Sequence, residues 1–113
     1  MKTTTFTVQH LSIRLKIRLL PGVADVHRAY TGGTYIPRRV GANVVHGFFS
    51  TDGTIVLPAN GGNLNELVPH EVSHAVIHHL NGVLSHDDEP CSTAIGCLCA
   101  RIFKQLKKIG VMV

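Results

Sequence analysis

Five consecutive residues, His70-Glu71-Val72-Ser73-His74, have the types and spacing to hold a metal ion and to work beside it. On a helix, residues four apart lie one above the other, with Cβ atoms about 5–6 Å apart. Two imidazoles placed in that way can both reach one ion at Zn–N distances of about 2.0–2.1 Å. Glu71 stands about 100° around the helix from His70, by the helical repeat. From there its carboxylate can act as a general base: it accepts a proton from an attacking water and returns one to a leaving amine.

A zinc site needs a third protein ligand. Positions 77 and 80 hold Ile77 and Leu80, so a longer motif with Gly and a third His at the seventh and tenth positions is excluded. His78 lies one turn beyond His74, too far to share one ion with both other imidazoles, and His79 points to a different face. Exposed or locally hydrogen-bonded roles are expected for these two. The acidic run Asp87-Asp88-Glu89 stands at the mouth of the following helix. Glu89 is the expected third ligand, because Pro90 fixes the helix start and the chain must fold back there across the histidine helix. Helix capping competes for Glu89, and Asp87, Asp88 and His86 stay open as alternatives.

Several elements have to position this group. Residues 11–19 alternate Leu11, Ile13, Leu15, Ile17 and Leu19 with Ser12, Arg14, Lys16 and Arg18, the period of two of a strand with one buried face. Pro21-Gly22 closes it, and residues 23–30 read as a short helix stopped by Gly32-Gly33. Residues 44–49 and 54–57 are β-rich and flank Ser50-Thr51-Asp52-Gly53, whose Asp-Gly pair signals a hairpin. A loop over 58–63 follows. The histidine helix is expected to begin near residues 65–69, with Pro69 in its first turn. Its apolar face is Leu67, Val68, Val72, Ala75, Val76 and Leu80, and Asn81-Gly82 ends it. A polar link over 83–88 leads to a last helix that opens at Pro90, with Asp88 or Glu89 as cap, and runs to about Ile109. Ile95, Leu98, Ile102, Leu106 and Ile109 recur along it at helical spacing.

The chain has 113 residues, enough for one domain spanning 1–113 with its own core. Hydrophobic content of 44% with 16% charged residues excludes a disordered chain. No apolar run reaches the roughly 20 residues of a membrane span, and no signal peptide follows Lys2. Three cysteines, Cys91, Cys97 and Cys99, are an odd number in no common zinc-binding spacing. They read as buried thiols and point to a reducing, cytoplasmic compartment. The net charge is +4, gathered in Arg14/Lys16/Arg18, Arg38/Arg39 and Arg101/Lys104/Lys107/Lys108. These groups are expected to be solvated faces, and a nucleic-acid role is set aside.

A helix, a β-hairpin with the strand Thr54-Ile55-Val56-Leu57, a loop and then His70-Glu71-Val72-Ser73-His74-Ala75-Val76 resembles the minimal zincin-like metallopeptidases of the gluzincin type. With Asp88-Glu89-Pro90 and the Gly96-x-Leu98 helix, the chain is similar to small zincin-like proteins of phages and prophages, over roughly residues 23–103. The link from His74 to Glu89 is shorter than in large gluzincins, and there is no second subdomain and no C-x2-C pair. The resemblance implies an α+β fold, zinc held by His70, His74 and the downstream acid Glu89, and Glu71 as catalytic base. It implies hydrolysis of a protein or peptide substrate in the cytoplasm, a host's cytoplasm if the chain is phage-encoded. An inactive zincin fold serving as a metal-stabilised binding module is the other reading. We expect a sheet of about three strands with three helices. One of the strands around 44–49 or 54–57 is expected to be a substrate-pairing edge, with His46 or Tyr35 as oxyanion donors.

Overall fold

The alternating segment becomes the central strand of a mixed sheet. The computed structural model describes residues 3–32, 45–79 and 89–113, with backbone alone for Glu89 and Pro90. In order the elements are β1 (Thr4–His10), β2 (Ile13–Gly22), α1 (Val23–Tyr30), β3 (Phe48–Ser50), β4 (Thr54–Asn60), α2 (Leu64–His79) and α3 (Glu89–Lys108). The fold is α+β, as expected, with four strands in the order β1-β2-β4-β3. β2 runs parallel to β4, while the β1–β2 and β3–β4 pairs are antiparallel.

The additional strand is β1. Its Thr4, Thr5 and Thr7 around Phe6 and Val8 are β-branched residues in a period of two, a weak strand signal. The turn that joins it to β2 carries no glycine, asparagine or aspartate. His10 pairs with Ile13, so Leu11 and Ser12 form a two-residue loop, and Leu11 takes φ +53°. Two-residue hairpin loops need positive φ to match strand twist, and glycine or asparagine usually supplies it. Leu11 therefore leaves the buried face that the alternation gave it and is 81% exposed.

β2 keeps the rest of its pattern. Ile13, Leu15, Ile17 and Leu19 are buried, whereas Arg14, Lys16 and Arg18 are exposed. The buried side forms the main core with Ile55 and Leu57 of β4, Val68, Val72 and Val76 of α2, and Leu98, Ile102 and Leu106 of α3. Each such aliphatic contributes roughly 1.5–3 kcal/mol when fully withdrawn from water. A smaller cluster of Leu20, Val26 and Val56, with Phe48 against it, seats α1 at one end of the other sheet face.

The helix ends follow local rules. The Gly22 amide donates to Asp25 Oδ2 at 3.1 Å and closes the start of α1. α3 stops at Lys108, and Ile109 is exposed rather than part of the apolar row. Gly110 takes φ +84°. Its amide donates to the Lys107 carbonyl at 3.2 Å and that of Val111 to the Leu106 carbonyl at 2.9 Å, a Schellman stop. All three cysteines are free, with Cys91 and Cys99 buried. Burial pushes the Cys99 thiol up to about 11. The expected helix stops at Gly33 and Asn81-Gly82, with Leu80, the 83–88 link and Arg38/Arg39, lie outside the described residues.

Left-handed backbone costs a non-glycine residue roughly 1–2 kcal/mol. Leu11→Gly should therefore raise the denaturation midpoint, and a lowered midpoint would contradict the strain assigned to this turn. At Gly62 a Cβ would lie 2.6 Å from Pro58 Cγ and 3.0 Å from Leu67 Cδ1. The proline ring cannot move aside, so Gly62→Ala should cost about 1–3 kcal/mol in chemical denaturation; an unchanged midpoint would show that the loop gives way.

Candidate metal centre

α2 is fixed at its start by Asn63. The Asn63 carbonyl accepts from the Leu67 amide at 2.9 Å and from the Glu66 amide at 3.1 Å, and its Nδ2 donates to Glu66 Oε2 at 3.2 Å. The Glu66 bond satisfies one of the amides that a helix start leaves without a partner. Helix formation from Leu64 places Pro69 in the second turn, not in the first as expected. A proline there removes one backbone bond. Ser73 Oγ donates to the Pro69 carbonyl at 2.7 Å.

Leu64, Val68, Val72, Ala75 and Val76 turn toward the sheet. The 3.6-residue repeat then leaves His70, His74 and His78 on the outward side, and all three are exposed. Glu71 sits at the boundary between the two faces and is only 5% exposed. Among the described residues, His70, Glu71 and His74 form the one group whose ligand atoms could share an ion, all within 4.8 Å of one another.

The imidazole geometry suits a metal. The two Nε2 atoms are 3.2 Å apart, with the rings edge to face at 82°. Two nitrogens on one tetrahedral zinc at ordinary bond lengths stand about 3.3 Å apart. Nitrogen donors from two imidazoles are also the set that zinc favours. The residues present therefore fit the ion without rearrangement of the helix.

Burial raises the Glu71 carboxyl above its ordinary value, and the neighbouring His70 and His74 partly oppose that rise. Desolvation disfavours the charged carboxylate; adjacent positive charge favours it. His70, Glu71, His74 and His78 line an open cavity of about 470 Å³, together with Gly47, Phe48, Phe49 and Thr51 from the β3 side. Among the described strands β3 is the edge of the sheet beside this cavity, whereas β4, the strand directly before α2, is interior. Of the two edge candidates, it is therefore the earlier segment that forms the edge.

The other sequence candidates divide clearly. His78 lines the cavity and leans on the Phe49 ring, centroids 5.5 Å apart, but does not belong to the metal group. His79 reaches Ser12, with Nε2 3.2 Å from Oγ. His46 is exposed and does not line the cavity. Glu89 opens α3, while its side chain, together with Asp87, Asp88, His86 and Tyr35, lies outside what is described. Sequence reasoning missed His27, a buried histidine of α1 whose Nδ1 accepts the Val45 amide at 3.0 Å. That bond fixes where the chain approaches β3. It also missed Gly47 and Thr51 in the cavity wall, whose only signal was adjacency to the hairpin and the Phe48-Phe49 pair, and Tyr30 at the end of α1, which carried no such signal.

No known family, characterised protein or solved structure matches this chain.

The Glu71 shift has a definite sign. An acid whose folded pKa is raised favours folding while protonated, and that advantage is lost as pH rises from 4.5 through the raised folded value. In chelator-treated protein, Glu71→Gln should therefore gain stability over wild type as pH rises through this window. Parallel pH profiles of the two denaturation midpoints would contradict the burial of this carboxylate.

Proposed function

We propose that this chain is a zinc-dependent peptidase of the zincin-like class. The observation that carries the reading is the His70–His74 pair at zinc-chelating separation, with the buried Glu71 carboxyl opening into the same cavity. His70 and His74 would hold zinc through Nε2, with Glu89 as the proposed third ligand. When bound, zinc would supply Lewis acidity and lower the pKa of water in the site.

Glu71 accepts the proton of the attacking water and passes it to the amine that leaves. Its raised pKa suits both halves of that exchange, since a general acid–base works best near the ambient pH. β3, an edge among the described strands, gives an extended protein or peptide substrate a strand to pair with, and Phe49 and His78 wall the cavity beside it. Three free cysteines support a reducing, cytoplasmic setting. Among the described residues, no helix is long and apolar enough to cross a membrane.

Elemental analysis of purified protein should find about one zinc per chain, lost in His74→Ala and in Glu89→Ala. Glu71→Gln should keep the metal yet lower hydrolysis of a peptide library by about 10²–10⁴-fold. Wild type that takes up no zinc ends the peptidase reading. A Glu71→Gln protein with full biological effect would make the chain a metal-stabilised binding module instead.

A further inference from the structure

The sheet has a second face, opposite the main core, which among the described residues meets the metal-centre cavity only at Phe48 and Tyr30. Cross-strand pairing puts Arg14 beside Gln9, Lys16 between Thr7 and Thr54, and Arg18 between Thr5 and Val56. All three cations are exposed and point away from the main core. Alternate residues of a strand stand about 6.6–6.8 Å apart, so the three charges form a straight row. That repeat is comparable to the step between successive phosphates of an extended polynucleotide strand.

No acid stands among their cross-strand partners. Among the described residues, the one ion pair is Arg28–Asp25, at 3.8 Å on α1. Lys16 and Arg18 border a cavity of about 390 Å³ whose walls include the hydroxyls of Thr5, Ser50 and Thr54 and the ring of Phe48. Asp52 lies on its rim, and its Oδ1 is occupied by the Thr54 amide at 3.0 Å. Phe48 meets Tyr30 edge to face at 5.4 Å, and Tyr30 is 59% exposed. Cations in a row, hydroxyl donors between them and an aromatic pair at one end are the parts of a surface for single-stranded nucleic acid.

We infer that this open face binds single-stranded nucleic acid, with phosphates along Arg14, Lys16 and Arg18 and a base against the Phe48–Tyr30 end. The sequence groups these charges but cannot show that the face above them is open. Among the described residues the three side chains are exposed, and the sheet register gives each of them uncharged cross-strand partners. The same row excludes an apolar partner, since three desolvated charges without counter-charges would cost more than the contact returns.

The test uses the full chain and a fluorescently labelled single-stranded DNA 12-mer, followed by anisotropy across salt concentrations. Three phosphate contacts predict a log–log salt slope of about −2. The Arg14→Gln/Lys16→Gln/Arg18→Gln variant should lose at least tenfold in affinity and most of that slope. Lys16→Gln alone should lose part of each. Lys107→Gln/Lys108→Gln, on α3, should bind as wild type does. Salt-independent binding, equal losses in the α3 variant, or equal affinity for a duplex would overturn the inference. So would binding to phosphatidylserine vesicles without binding to the oligonucleotide.

Discussion

The structure depends on how α2 is fastened to the sheet. One helix must bury Val68, Val72, Ala75 and Val76 against β2 and β4 while it holds two imidazoles at a fixed separation on its other side. The helical repeat does both at once: the three- and four-residue steps that line up the valines also stack His70 over His74. The 3.2 Å between the two Nε2 atoms follows from the four-residue step within the helix, while the apolar stripe anchored in the core decides which way the pair faces. Glu71, between the two sides, is buried by the same constraint and acquires its raised pKa from it.

The rest of the fold keeps that helix in place and gives it a wall. α3 packs on the same core through Leu98, Ile102 and Leu106 and is stopped by Gly110, so that Val111 folds back against the cluster. The parallel β2–β4 pair leaves β3 as the edge beside α2. α1 and its buried His27 hold the approach to β3 through the Val45 amide. The outcome is a two-sided sheet. One side serves α2, α3 and the metal centre; the other seats α1 at one end and carries a row of cations that are exposed among the described residues.

Much of this was legible in the residues. The alternation from Ile13 to Leu19, the Asp-Gly hairpin, the apolar stripe of α2 and the His-Glu-x-x-His spacing each report a local period, and local periods survive whatever the rest of the chain does. The α+β class and three helices followed from them. Local signals failed where another part of the chain held the decision. β1 carries only Phe6 and Val8 as apolar residues and exists because β2 offers it a partner. Leu11 continues the alternation in sequence, yet it is spent on a turn whose backbone the register of that pair dictates. Pro69 sits one turn deeper than its preference, because Asn63 and the core set the start of α2.

The sequence by itself determined which residues can do chemistry, since four-residue spacing on a helix is a covalent property of the chain. It also determined which faces are apolar. Only the tertiary structure decided which strand became the edge, that Glu71 is buried while its flanking histidines are exposed, and which segments wall the cavity. It alone decided that Arg14, Lys16 and Arg18, exposed on one face, have uncharged cross-strand partners. The physical reason is the same in each case. Burial, edge position and cross-strand pairing arise from contacts between residues far apart in the chain, and no local period encodes them.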